Sequence, residues 1–247
     1  LAEVPFDLTD LSISGSQNGN WLIAYEENSA ANPILNWSGN TGAPVTVEKL
    51  SFDETNSLSL TYTGSDNLTI SALSLDPDDT NLVSFTNTDD GSLVIASGAN
   101  VDTGDGLTSI SLTATEGGDV VFGSVSGGFG ISDAPKLESI VLNASNTGSI
   151  ELGNVGAAVR SEDLQSISVT STGAPVKIGT LSASEAGTIS ASLSSSASLT
   201  IGSIDLSSPG VSFSASGSGI LNPMSFSKEA YASINFIDLF TNTTINF

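Results

Sequence analysis

The segment Leu137-Glu-Ser-Ile-Val-Leu142, followed after a polar turn by Ile150-Glu-Leu-Gly-Asn-Val155, decides the fold. The same two-part phrase begins again at Leu107 and at Leu164, and a degenerate copy begins at Gly187. Within each part apolar and polar residues alternate, which is the two-residue period of a β-strand with one buried face. One copy cannot bury that face alone, whereas stacked copies can, so the repeat predicts a solenoid. The expected fold is all-β, a parallel β-helix (β-solenoid) with irregular capping segments.

The copies also predict which side chains stack. One isoleucine holds the same place in each copy, and we expect a single buried column of Ile110, Ile140, Ile167 and Ile189. A glycine ends the second part of each copy and suits a bend with positive φ or a close backbone approach: Gly123, Gly153, Gly179 and Gly202. The alternative is a row of tandem β-sandwich domains with accidental similarity. We favour the solenoid, because sandwiches do not need the same phrase in the same register in every copy.

The chain divides into three parts by its match to the repeat. Residues 47–215 carry the repeat and its degenerate early versions, and we expect them to form the β-solenoid. We expect residues 1–46 to be an N-terminal cap or junction segment, and residues 216–247 to be C-terminal cap or junction strands. Trp21 and Trp37 lie in the first segment, where they would suit an aromatic platform for carbohydrate. We favour a capping role for that segment, since a solenoid needs its end covered.

The composition excludes several classes of function. The chain has no Cys and no His, which removes disulfides, thiol nucleophiles, imidazole bases and ordinary zinc sites. It has 27 acidic residues against five Lys and Arg, and the net charge of −22 repels nucleic acid and anionic membranes and favours cations. No stretch of about 18 apolar residues is present, so we expect no membrane-spanning helix. The chain begins without an initiator Met, and we expect it to be an excised or processed piece of a larger protein.

Acidic turns between the early strands suggest calcium. Seven aspartates in three such turns are the candidate metal ligands: Asp76, Asp78, Asp79, Asp89, Asp90, Asp102 and Asp105. Carboxylate and carbonyl oxygens one and two residues apart can converge on a hard cation such as Ca²⁺. The alternative is turn chemistry, because Asp, Asn and Gly also form turns without an ion. Ca²⁺ is the cofactor that the sequence suggests.

No catalytic constellation stands out, and we expect the protein not to be an enzyme. The repeat region offers one acidic residue per copy without obvious alignment: Asp119, Glu138, Glu151 and Asp163. A polysaccharide-cleaving β-helix needs clustered carboxylates on one face. Ice binding by Thr-x-Thr pairs would need the same column in each copy. We expect Thr61-Tyr-Thr63 and Thr113-Ala-Thr115 not to form such a column.

The segment Leu137–Val155 and its copies, in an acidic chain rich in Ser, Thr, Gly and Asn, resemble bacterial S-layer proteins and large type I-secreted (RTX-like) surface adhesins. The resemblance covers roughly residues 47–215. It implies an extracellular, β-rich and often calcium-dependent module of a surface lattice or adhesive fibre. The dense calcium-binding nonapeptides of that family are missing from this chain.

We therefore expect a structural module of an extracellular bacterial cell-surface protein, an S-layer lattice or adhesin, that associates with copies of itself. Alternatives are a carbohydrate-binding or carbohydrate-cleaving β-helix domain, with a cell-surface glycan as partner, and a fibre or spike protein. We expect copies to meet at their aromatic ends, Trp21–Tyr25 and Phe236–Phe247, and at variable loops. Association is expected to strengthen with divalent cations, because each copy carries a charge of −22.

Overall fold

The computed structural model describes residues 10–14, 20–31, 34–38, 44–71, 73–74, 81–96, 107–123, 137–153, 158–161, 164–183, 188–194, 196–206, 212–222, 225–226 and 235–237. Throughout these residues the regular structure is β-strand, and no helix occurs. The described strands, in chain order, are β1 (Asp10–Ser14), β2 (Asn20–Ala31), β3 (Ile34–Ser38), β4 (Val45–Thr55), β5 (Ser57–Thr63), β6 (Leu68–Ile70), β7 (Leu73–Ser74), β8 (Leu82–Asn87), β9 (Leu93–Ile95), β10 (Ser109–Ala114), β11 (Val120–Phe122), β12 (Ser139–Ser145), β13 (Ile150–Leu152), β14 (Ala158–Ser161), β15 (Ser166–Thr172), β16 (Pro175–Ala183), β17 (Thr188–Leu193), β18 (Ser198–Leu206), β19 (Ser212–Gly217), β20 (Ile220–Leu221), β21 (Ser225–Phe226) and β22 (Asn235–Ile237).

The strands form two parallel sheets whose members alternate along the chain. The first sheet has the order β1-β3-β5-β8-β10-β12-β15-β17-β19-β22. The second has the order β2-β4-β6-β9-β11-β13-β16-β18-β20, with β7, β14 and β21 paired alongside β4, β16 and β18. All the described pairings are parallel, and each coil adds one strand to each sheet. This is the β-solenoid that the repeat predicts, since β-sandwich domains are built from antiparallel sheets.

The isoleucines of the repeat form one buried column, which confirms the predicted register. Each pairs with the next across neighbouring strands, and none is more than 3% exposed. The column continues into coils where the sequence phrase is degenerate, in the order Leu58, Val83, Ile110, Ile140, Ile167 and Ile189. In these six coils one inward position is therefore filled by a branched apolar side chain.

The second sheet supplies the facing layer of the core. Its three-residue strands β6, β9, β11 and β13 each bury the first and third residue and turn the second outward. The aromatic rings of Phe85 and Phe122 meet between the sheets with centroids 5.3 Å apart. Burying each such side chain contributes roughly 1.5–3 kcal/mol. The result is one continuous apolar core along the stack.

The bends after the second part of the phrase follow the prediction in two coils. Gly123 has φ 121° and Gly153 has φ 70°, in the region that residues with a Cβ rarely adopt. In the two later coils the chain stays extended at the equivalent position, because Gly179 and Gly202 lie inside the long strands β16 and β18. The glycine of the phrase therefore serves two local conformations.

Strands from both terminal segments pair within the same two sheets. From residues 1–46, β1 pairs with β3 in the first sheet and β2 pairs with β4 in the second. The β2–β4 pairing contains two register shifts. From residues 216–247, β20 and β21 pair with β18, and β22 pairs with β19. The parallel stack therefore extends from β1 to β22.

Candidate functional site

The two described members of the calcium set, Asp89 and Asp90, lie in the turn between β8 and β9. The Asp89 carboxylate accepts a hydrogen bond from the Asp90 backbone N–H at 2.9 Å. The Asp89 N–H donates to the Asn87 side-chain oxygen at 3.3 Å. Across the residues that the structure describes, no three Asp, Glu, His or Cys side chains gather to hold a metal. The hydrogen bonds that Asp89 and Asp90 make are those of turn residues, and calcium binding by them stays a prediction.

Five of the seven candidate ligands lie outside the described residues: Asp76, Asp78, Asp79, Asp102 and Asp105. Calcium binding by those turns stays a prediction. Within the described part, acidic side chains lie where the chain passes from the first sheet to the second. We call this the acidic corner, formed by Asp66, Asp89, Asp90 and Glu116.

Hydrogen bonds between coils hold the acidic corner in a stack. The Gly91 N–H donates to the Gly64 carbonyl at 2.7 Å, and the Gly118 N–H donates to the Asp89 carbonyl at 3.0 Å. The next coil places Asn146 at this corner, and its side-chain nitrogen donates to the Thr115 carbonyl at 2.6 Å. A neutral amide thus follows the acidic residues along the stack.

A buried asparagine ties the acidic corner to the core. Asn87 is fully buried, and its side-chain nitrogen donates to the carbonyl oxygens of Gly91 at 2.6 Å and Asp119 at 3.2 Å. A buried amide is costly unless it is hydrogen-bonded, so these contacts fix the path of two successive turns.

Tyr62 lies buried beneath the acidic corner, and its hydroxyl donates a hydrogen bond to the backbone carbonyl of Asp66. Burial, together with the negative charges of Asp66 and Asp89, raises the pKa of the Tyr62 phenol from 10.0 to about 12. Both causes act against the phenolate, because it would be poorly solvated and close to like charges.

The raised pKa of Tyr62 predicts a loss of stability in alkali. The neutral phenol stabilises the fold fully below pH 10, and that contribution is lost as the pH rises through about 12. Two pKa units correspond to about 3 kcal/mol of the free energy of unfolding. Chemical denaturation of wild type and Tyr62→Phe between neutral pH and pH 12 measures it. The wild-type advantage should shrink with rising pH, and equal pH dependence of the two proteins would contradict the assignment.

The acidic residues considered for catalysis lie at different places on the coil. Asp119 lies directly before β11, beside the acidic corner, and accepts two hydrogen bonds from Ser149, from the backbone N–H at 2.9 Å and from the hydroxyl at 2.5 Å. Glu138 is exposed just before β12. Glu151 lies on β13 and pairs with Lys177 at 3.7 Å. Asp163 is outside the described residues. The fold does not bring the three described residues together.

The expectation for the Thr-x-Thr pairs was wrong. Thr61 pairs in register with Thr86, and Thr86 pairs with Thr113, so the three form one column on the outer side of the first sheet. They are 25 and 27 residues apart in the sequence (86 − 61 and 113 − 86), and these unequal spacings hide the column. In the structure the strands of neighbouring coils lie in register although the loops between them differ in length. A threonine directly after the second inward apolar residue of the strand, as in Leu60-Thr61, Phe85-Thr86 and Leu112-Thr113, is the signal that would have revealed it.

This column belongs to a larger array, which we call the hydroxyl face. It comprises 24 outward positions in four columns: Ser57, Leu82, Ser109, Ser139, Ser166 and Thr188; Ser59, Ser84, Ser111, Val141, Ser168 and Ser190; Thr61, Thr86, Thr113, Asn143, Thr170 and Ser192; Thr63, Thr88, Thr115, Ser145, Thr172 and Ser194. All but three, namely Leu82, Val141 and Asn143, are Ser or Thr. None of the 24 is charged, in a chain with a net charge of −22.

Hydrogen bonds order the last column of the hydroxyl face. The hydroxyls of Thr63 and Thr88 are 2.7 Å apart, and the Thr115 hydroxyl donates to the Asn87 carbonyl at 3.3 Å. In the neighbouring column, the hydroxyls of Thr61, Thr86 and Thr113 make no hydrogen bond to another described residue. One column is thus held to the backbone, and the one beside it presents hydroxyls to the outside.

The part of the chain that the structure describes contains no helix long and apolar enough to cross a membrane. A scan against protein-family models and searches of curated proteins and of solved structures found no match to this chain.

Proposed function

We propose that the chain is a structural module of an extracellular bacterial cell-surface protein, an S-layer lattice or an adhesin, in which it serves as a stiff spacer. The observation that carries this proposal is the unbroken parallel stack from β1 to β22. Neighbouring strands lie about 4.8 Å apart, so the ten strands of the first sheet extend about 43 Å along the stack.

Stiffness follows from the bonding pattern. Hydrogen bonds between coils run along the long direction of the stack and act together across both sheets. The continuous core adds a second restraint, because bending would open gaps between tightly packed side chains such as Phe85 and Phe122. A module of this kind maintains a distance between the partners at its two ends.

The charge of the chain supports a role for cations in assembly. Copies that each carry −22 repel one another unless ions bridge or screen them. The acidic corner places Asp66, Asp89 and Glu116 on successive coils, which raises the local concentration of cations. We propose Ca²⁺ as the bridging ion and the acidic turns outside the described residues as its ligands.

The test is electron microscopy and sedimentation of the protein with Ca²⁺, with Mg²⁺ and with a chelator. A variant with Asp102→Asn and Asp105→Asn removes two candidate ligands. A control with Glu138→Gln and Glu151→Gln removes two charges of the solenoid that lie outside both the candidate turns and the acidic corner. We expect ordered sheets or filaments with Ca²⁺, their loss in the ligand variant, and their retention in the control.

Other outcomes distinguish the remaining functions. Equal assembly with Ca²⁺ and Mg²⁺, and equal effects of the two variants, would indicate charge screening without a specific site. Monomers in every condition would contradict self-assembly by this chain. If such monomers bound glycans, the carbohydrate-binding alternative would replace the structural one, and compact trimers would indicate a fibre or spike protein.

A further inference from the structure

The hydroxyl face is regular in two dimensions. Along the stack its columns repeat with the strand spacing of about 4.8 Å, and along each strand alternate residues repeat at about 6.6 Å. The pairing from β5 to β17 runs without a register shift, so the rows do not slip between coils. Six strands and four columns cover about 24 Å by 20 Å. The face is therefore a small two-dimensional lattice of hydroxyl groups.

We propose that the hydroxyl face binds ice. Its two repeat distances are close to those between water oxygens on a prism face of hexagonal ice, so bound waters can occupy lattice positions in many cells at once. Each single contact is weak, and the affinity arises because the whole lattice engages together. This activity does not rest on the proposed spacer role, since it needs only the described face.

The chemistry of the face suits water in a fixed arrangement. A hydroxyl donates one hydrogen bond and accepts two, as a water molecule in a lattice requires of its neighbour. The methyl group of threonine fills the space between hydroxyls without competing for hydrogen bonds. Charged groups hold their own hydration shells strongly and would disturb the lattice. Their absence from all 24 positions fits this requirement, although the chain carries 27 acidic residues.

The column that contains Thr61, Thr86 and Thr113 is available for contact with ice. The hydroxyls of Thr61, Thr86 and Thr113 make no hydrogen bond to other described residues. The neighbouring hydroxyls of Thr88 and Thr115 are held by the Tyr62 and Asn87 carbonyls, at 3.3 Å in each case. Fixed neighbours reduce the conformational entropy that binding would otherwise cost.

Two other occupants fit the face less well. Glycans commonly pack on aromatic rings or in concave sites, and the 24 positions include no aromatic residue. A second copy of the chain would meet no charge repulsion at this face, but the face is poor in the aromatic and large apolar side chains that anchor protein interfaces.

The test compares substitutions on the two sheets. The double variant Thr86→Lys, Thr113→Lys places two charges in the column of Thr61, Thr86 and Thr113 on the hydroxyl face. The matched control, Thr46→Lys with Thr69→Lys, places two charges at register-paired, partly exposed positions of the second sheet. Fluorescently labelled proteins are offered to a slowly growing ice surface, and thermal hysteresis is measured on single ice crystals. We expect uptake and hysteresis for wild type and control, and loss of both for the hydroxyl-face variant.

Further measurements keep the outcome decisive. Circular dichroism and thermal melting show whether each variant is folded, and Thr170→Lys alone repeats the test on another coil. Exclusion of the wild type from ice, or equal uptake of both lysine variants, would overturn the proposal. Sedimentation reports the other occupant: if wild type dimerises and only the hydroxyl-face variant is monomeric, the face binds a second copy and the ice proposal is wrong.

Discussion

Replacement of Ile140 by alanine is expected to lower the free energy of unfolding by about 2–5 kcal/mol. Ile140 is fully buried and lies in the middle of the apolar column, between Ile110 and Ile167. The cavity left by the missing atoms cannot close easily, because the strands on both sides are held in register by their own neighbours. Urea denaturation followed by circular dichroism measures the loss.

The adjacent residue provides the control. Val141 lies on the same strand but points outward, where it is partly exposed. Val141→Ala is expected to change the free energy of unfolding by no more than about 1 kcal/mol. Equal losses for Ile140→Ala and Val141→Ala would contradict the inward and outward assignment of β12. Because solenoids can unfold in parts, the comparison uses transition midpoints as well as extrapolated free energies.

Replacement of Gly118 by alanine is expected to destabilise the fold by about 3 kcal/mol or more. A Cβ at this position would overlap the Gly91 carbonyl oxygen and lie 2.6 Å from the Asp89 carbonyl oxygen. It would also lie 2.5 Å from the side-chain nitrogen of Asn87, which ties two turns together. All three atoms belong to the preceding coil, so relief requires the coils to separate. Thermal and urea denaturation measure the effect.

The neighbouring glycine separates this steric cause from the general cost of changing a turn. A Cβ on Gly117 would meet mainly the carboxylate of Asp90, an exposed side chain that can move aside. Gly117→Ala is therefore expected to be nearly neutral, or to stabilise by a few tenths of a kcal/mol, because alanine restricts the unfolded chain. Similar losses at both glycines would show that the close approach of backbone at Gly118 is not the cause.

The interior of the fold could be predicted from the sequence because the repeat places the same apolar residues at the same positions in each copy. Ile110, Ile140 and Ile167 recur in the same phrase, and apolar alternation with a period of two leaves only one face to bury. The same logic failed outside the phrase, at Thr61, Thr86 and Thr113. Their spacing follows the lengths of loops, and loop length is free to vary without disturbing the core.

The acidic corner shows a different limit of sequence reasoning. Asp89 and Asp90 suit both an ion site and a tight turn, because a carboxylate can either accept a hydrogen bond from a backbone N–H or ligate a cation. Composition cannot separate the two, because the choice depends on whether a third carboxylate from another coil reaches the same point. In the structure the Asp89 carboxylate accepts a hydrogen bond from the backbone N–H of Asp90.

By itself, the sequence determined that apolar residues recur with a strand period in copies that must stack, and hence that the protein is a β-solenoid with a column of branched side chains inside. Only the tertiary structure decided which outward side chains of neighbouring coils lie next to each other. Inward positions with large apolar side chains, such as Ile140, are specified one by one, because replacing such a side chain with a polar or small one costs several kcal/mol. Outward positions such as Thr86 and Thr113 carry no such cost. Their alignment into a surface exists only once coils of unequal length are brought into register by the core beneath them.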